Sequence, residues 1–242
     1  MKKISIVCVY NDLNQYNKLC ESLEKQTVVC ELVGIDNRGH RFLSNSEAFN
    51  SVINSINTEF VVFCHQDIIF PNEHSLELFL NDMEKINESD LIGSAGVTFR
   101  TSGIVSNLKN KPDSDFVGRR RLNQIEETNV LDECLFGGRT SRFKKRLFDE
   151  KLCDGWHLYA VDQCIYNYIR GDKVFISPVT MYHASAGIPK KDFFDNFNRM
   201  CKRYHKDIKF IRTCTWESYT NWFSRSLNWL EWNIFKILKG IK

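Results

Sequence analysis

Apolar residues in this 242-residue chain fall into short unbroken runs separated by stripes at helical spacing. Lys3 to Val9 (KISIVCV), Val29 to Ile35 (VCELVGI), Glu59 to Cys64 (EFVVFC), Leu91 to Phe99 (LIGSAGVTF), Val130 to Gly138 (VLDECLFGG) and Lys173 to Val179 (KVFISPV) read as strands. Between them, Tyr16, Leu19, Cys20 and Leu23 mark a helix ending near Gln26. Ser44 and Asn45 are positioned to cap a helix carrying Ala48, Phe49, Val52, Ile53 and Ile56. Leu76, Phe79, Leu80 and Met83 mark another after Pro71, and a further helix from about Ala160 to Ile169 stops at Gly171. Strands alternating with helices predict βαβ units and a mostly parallel α/β sheet, and runs that are apolar throughout predict burial on both faces. Thr101 to Glu127 is polar and irregular, with Gly103, Pro112, Gly118 and three consecutive arginines, and reads as a long loop or lid. From Asp192 the chain reads as helical to its end. There Trp216, Tyr219, Phe223, Leu227, Leu230, Ile234, Ile237 and Ile241 are spaced as one face of a long helix.

Composition sharpens this picture in three places. A hydrophobic fraction of 43% with 26% charged residues supports a packed core and excludes a disordered chain. The net charge of +3 is uneven: residues 189–242 carry 12 Lys and Arg against 5 Asp and Glu, and residues 1–188 carry 21 against 25. The expected organisation is therefore an α/β domain over 1–188 and a basic helical extension over 189–242, the end that suits an anionic partner. The nine cysteines include no CxxC pair and form neither a disulfide framework nor a zinc-ligand pattern. With no leader-like segment and no run long enough to span a bilayer, the expected location is the cytoplasm. The C-terminal stripe holds four of the five tryptophans (Trp216, Trp222, Trp229 and Trp232), flanked by Arg225, Lys236, Lys239 and Lys242. It fits a helix that covers the domain or forms a homodimer. It also fits an interfacial helix at the inner face of the cell membrane. No nucleic-acid-binding motif accompanies it.

The candidate chemistry lies where the predicted strands end, because parallel α/β sheets bind ligands beyond the carboxyl ends of their strands. Asn11-Asp12 follows the first strand, Asp36 the second, and His65-Gln66-Asp67 interrupts the apolar stretch VVFCHQDIIF after the third.

Taken in order, ISIVCVYND, the LCESLEKQ segment, IDNRG and NTEFVVFCHQDIIF resemble the first half of a family 2 glycosyltransferase. WHLYAVDQCIYNYIRG and VFISPVTMYHASAG resemble its second half. The likeness runs over roughly residues 1–190. It implies a Rossmann-like GT-A fold, with a donor half over about 1–100 and an acceptor half over about 101–188. It further implies transfer of a sugar, with inversion, from a nucleotide-diphosphate donor (a UDP-sugar favoured) to a surface or capsular glycan, free or lipid-linked.

By the same resemblance His65-Gln66-Asp67 stands in place of the family's DxD motif. Asp67, with His65 and the later His183, would hold Mn²⁺ or Mg²⁺. Asp162 matches the base that takes the acceptor's proton. Tyr10, Asp36, Arg38, Gln66 and Asp67 would contact the donor, and Glu133, Trp156 and His157 the acceptor. Each has a plainer reading: a strand-end histidine, an Asx turn at Asp36, a core aromatic, a helix-start aspartate at Asp162. His65 and Val161 replace acids of the family pattern. That departure leaves two alternatives open: a catalytically inactive nucleotide-sugar-binding scaffold, or a nucleotide-sugar hydrolase.

Overall fold

A computed structural model describes residues 3–184 and 191–239; the side chains of Trp229, Phe235, Lys236 and Lys239 lie outside that description. The elements in order are β1 (Ile4–Tyr10), α1 (Leu13–Glu24), β2 (Glu31–Asp36), α2 (Asn45–Ile53), β3 (Phe60–Cys64), β4 (Ile68–Ile69) and α3 (Ser75–Lys85). There follow β5 (Leu91–Gly93), β6 (Ala95–Val97), β7 (Val105–Ser106), β8 (Leu108–Lys109), β9 (Glu126–Thr128), β10 (Val130–Leu131) and β11 (Leu135–Arg139). The last are α4 (Thr140–Lys145), α5 (Tyr159–Arg170), β12 (Val174–Ile176), β13 (Met181–His183), α6 (Lys191–Tyr204), β14 (Phe210–Arg212), β15 (Glu217–Tyr219) and α7 (Trp222–Lys239).

Seven strands form the central sheet in the order β2-β1-β3-β11-β5-β12-β9. β2, β1, β3, β5 and β12 share one direction; β11 and β9 oppose it. The unbroken apolar runs follow from helices on both faces. Ile4, Ile6, Cys8, Phe60, Val62 and Cys64 pack with Leu19 and Leu23 of α1 and with Leu76, Phe79 and Met83 of α3. Val7, Val61 and Phe63 point the other way, into a core with Phe49 of α2, Phe143 of α4 and Tyr159 of α5. Local signals start and stop the helices. Asp12 caps α1 through the amides of Asn14 and Gln15, and Ser44 caps α2 through Glu47. Gly171, at φ 79°, closes α5 in the left-handed conformation.

Three expectations need correction. The run 91–99 is two strands: β5 stays in the central sheet, and β6 joins β10 and β7 in a second sheet. The run 130–138 breaks likewise into β10 and β11, with Asp132-Glu133 at the bend. The tail is not continuous helix, because β14 and β15 form a hairpin between α6 and α7. Trp216 and Tyr219 therefore belong to that hairpin, not to the helical stripe; Ile241 and Lys242 lie outside the described residues. The C-terminal segment packs on the rest of the chain. Phe193, Phe194, Phe197, Met200, Ile211 and Trp232 are buried in the same core as α5. The expected boundary at 188/189 falls outside the described residues.

Candidate active site

The site forms where β3 ends. Backbone pairing of β13 with β4 is antiparallel and sets His183 opposite Ile68, one residue beyond Asp67. His183 Nε2 lies 3.4 Å from Asp67 Oδ1, and His65 Nδ1 lies 3.3 Å from His183 Nε2. One ligand atom from each of the three falls within 4.8 Å of the others. Burial, and then the neighbouring His183, push His65 down to about 4. It is neutral at pH 7, with a lone pair to give. Burial opposes charge on His183 too, but the Asp67 carboxylate outweighs it and raises this imidazole above its ordinary value. One carboxylate and two imidazoles fit a divalent transition ion. The imidazoles favour Mn²⁺ over the all-oxygen shell that Mg²⁺ prefers.

This cluster opens on a cleft of about 250 Å³ lined by Tyr10, Asn45, His65, Asp67, Trp156 and His157, among others. Tyr10 stacks on Tyr16 with ring centroids 4.0 Å apart, at an interplanar angle of 10°. Gly34 permits this arrangement, because a Cβ there would collide with the Tyr16 hydroxyl. Beside Tyr10, Asp36 is bound by Arg38, whose hydrogen bonds hold that carboxyl down at about 2. Gln66 also borders the cleft, but its amide braces the loop after β1. Its Oε1 accepts from the Asn11 and Asp12 amides at 2.9 Å each, and its Nε2 donates to Asn11 Oδ1.

Glu133 and His157 form a second pair in the same neighbourhood. Glu133 Oε2 is 3.5 Å from His157 Nδ1, and the buried Oε1 has no hydrogen-bond partner among the described residues. Burial raises the Glu133 carboxyl above its usual range, although His157 pulls it down. The Tyr159 hydroxyl links the two groups: it is 3.3 Å from His65 Nε2 and 3.4 Å from the Glu133 carbonyl oxygen. Between His157 and Tyr159, the buried Leu158 holds a left-handed backbone at φ 72°. Such strain is stored where a site needs its neighbours aimed. Asn45, at the start of α2, fixes the adjoining loop by donating to the Trp156 carbonyl.

Asp162 is not brought here. Its side chain is 1% exposed; Arg146 Nη2 donates to Oδ2 at 2.6 Å, and the Tyr204 hydroxyl donates to Oδ1 at 2.5 Å. Both of its oxygens are bound inside the core, and it is not among the residues lining the cleft. The sequence also gave no warning of Tyr159, or of the hairpin turn that lays Cys214 near Asp132. Both contacts join segments far apart in the chain. Wider clefts of 460 and 470 Å³ lie elsewhere, and the three-residue cluster is the metal-ligand grouping found among the described residues.

No protein-family model matches the chain, and no curated protein matches it in sequence. Solved structures do match. S. aureus TarS 1–349 in complex with UDP-GlcNAc is 16% identical with a TM-score of 0.55, over 83% of this chain and 66% of that one. GalNAc-T7 with UDP, GalNAc and Mn²⁺ is 9% identical with a TM-score of 0.58, over 83% and 48%. The mannosyltransferase PcManGT from Pyrobaculum calidifontis, in complex with GDP-Man and Mn²⁺, is 12% identical with a TM-score of 0.51, over 85% and 62%. The chain thus spans about half to two thirds of their lengths. These neighbours are glycosyltransferases, and the fold they share with this chain is GT-A.

Proposed function

We propose that this chain transfers a sugar from a nucleotide-diphosphate donor, a UDP-sugar in the first instance, to a glycan hydroxyl, with inversion at the anomeric carbon. The observation that carries the reading is the His65–Asp67–His183 cluster at the exit of β3, beside a tyrosine-edged cleft in a GT-A fold. A divalent cation held by these three side chains would offset the charge of the departing nucleoside diphosphate. Tyr10 offers its ring to the nucleotide base, and Asp36 and Arg38 stand next to it at the strand end.

Glu133, in place of Asp162, takes the acceptor proton. Its free oxygen is buried, burial raises its carboxyl above the usual range, and His157 orients it. Trp156, which lines the cleft, provides an apolar face for a sugar ring. The acceptor hydroxyl attacks the anomeric carbon as its proton passes to Glu133. The glycosidic bond to the diphosphate breaks, and a nucleoside diphosphate leaves.

Release of UDP from a panel of UDP-sugars, measured with and without glycan acceptors and Mn²⁺, tests the reading. Release that rises with acceptor and yields a glycosylated product of inverted configuration supports it. Free sugar released at full rate without acceptor identifies a hydrolase instead. Tight donor binding without any turnover identifies a scaffold.

A further inference from the structure

Helix α7 is amphipathic in an unusual sense: its apolar stripe faces away from the protein. The inward face packs on the domain. Asn228 is fully buried and donates to Asn198 Oδ1 at 2.8 Å; Trp232 is 3% exposed and stacks on Phe194 with centroids 4.5 Å apart. On the other side Phe223 is 65% exposed, Leu230 53%, Ile234 48% and Ile237 79%. These positions succeed one another by seven, four and three residues, one side of a helix. Trp222 and Leu238 extend the patch at its two ends, and Tyr219 of β15 lies exposed just before the helix. Single exposed apolar residues are ordinary, but a contiguous row along a helix marks a surface that something covers.

We propose that α7 lies in the plane of an anionic lipid surface, with this stripe immersed in the headgroup boundary. Three observations select that occupant. First, no helix among the described residues is long and apolar enough to cross a membrane, which leaves an in-plane arrangement as the lipid-bound form. Second, the charge is complementary. Residues 189–242 carry +7 and residues 1–188 carry −4, by the counts of 12 against 5 and 21 against 25. Pairing this stripe with that of a second copy would bring two such basic segments together, whereas anionic headgroups neutralise them. Third, Trp222 and Tyr219 stand at the helix start, and ring systems with a polar tip suit the boundary between headgroup and acyl chain.

Membrane binding of this kind is independent of sugar transfer and is tested without it. The full chain is floated with vesicles of phosphatidylcholine alone and of phosphatidylcholine mixed with phosphatidylglycerol. Binding to the mixed vesicles that weakens in high salt is expected. A variant with Phe223→Ser, Ile234→Ser and Ile237→Ser should bind at least ~10-fold more weakly, because three immersed side chains are lost. All three sites are exposed, so circular dichroism and the thermal midpoint should match the wild type. Should that variant fail to fold, the unaltered chain still decides. Brominated lipid should quench its tryptophan fluorescence, and Trp222→Phe should remove a large part of that quenching. Equal binding by the triple variant, or absence of wild-type binding to anionic vesicles, overturns the proposal. A concentration-dependent dimer that the triple variant abolishes, without vesicle binding, gives the stripe to a second copy and overturns it too.

Discussion

Two buried aspartates, one lining the cleft and one outside its lining, have different surroundings. Asp67 leaves β3 into a cleft, with the His183 imidazole 3.4 Å from its carboxylate and the neutral His65 in the same cluster. Asp162 opens α5 and is locked by a guanidinium and a phenol, the former held above its usual value by that carboxylate despite its own burial. Burial alone therefore does not separate chemistry from architecture. What separates them is whether the partners are exchangeable and whether the carboxylate adjoins open space. Glu133 meets the first half of this criterion: one of its oxygens is unbonded among the described residues, and its partner His157 lines the cleft.

The comparison is broken or sharpened most strongly at Glu133. Glu133→Gln should lower transfer by about a hundred- to ten-thousand-fold, the usual worth of a general base, with UDP affinity retained. Steady-state rates alongside calorimetric UDP binding check this, and near-normal transfer would remove the residue from the mechanism. Next comes Asp162→Asn, which should cost about 3 kcal/mol of stability. That is the low end for stranding a buried charge, because Arg146 keeps some exposure. Its transfer rate per folded molecule should stay within a few-fold. Denaturant unfolding and active-site titration separate the two quantities. A normal midpoint with lost transfer would restore Asp162 as the base.

A smaller effect is expected at His157. Transfer needs the Glu133 carboxylate, so it should fall as the pH drops through that group's raised value. The charged form of His157 pulls the value down. His157→Gln should therefore move the acid limb of the rate profile to higher pH, and an unmoved limb would uncouple the pair. The smallest effect concerns Asp36. Its folded value of about 2 lies below the ordinary 3.8, so its contribution is present above 3.8 and fades as pH falls toward 2. Both partners of the Asp36–Arg38 pair are exposed. Asp36→Asn should thus leave the thermal midpoint at pH 7 unchanged.

Much of this was legible in the chain. The doubly buried strands β1 and β3 show as unbroken apolar runs, and the polar triplet after Cys64 marks the strand's exit. His65, Asp67 and His183 were each singled out in the sequence, but their coming together was not legible. β4 has two residues, too few for any periodicity, and it is the pairing of β4 with β13 that delivers His183. The tail misled for a related reason. Trp216 and Tyr219 fall in step with a helical repeat, yet both sit around a strand whose alternation of exposed and buried residues spans three positions. The surroundings of Asp162 were not legible, because its partners stand 16 and 42 residues away. No local signal shows that a carboxylate will be bound by residues so distant.

The central claim is that Asp67, with its two histidines, forms a metal-dependent donor site. Calorimetric titration of UDP into the wild type and into Asp67→Asn, each with and without Mn²⁺, tests it most directly. The account predicts that wild-type binding requires Mn²⁺ and that the variant, still folded by its thermal midpoint, does not bind. UDP binding of equal strength in all four titrations would contradict it.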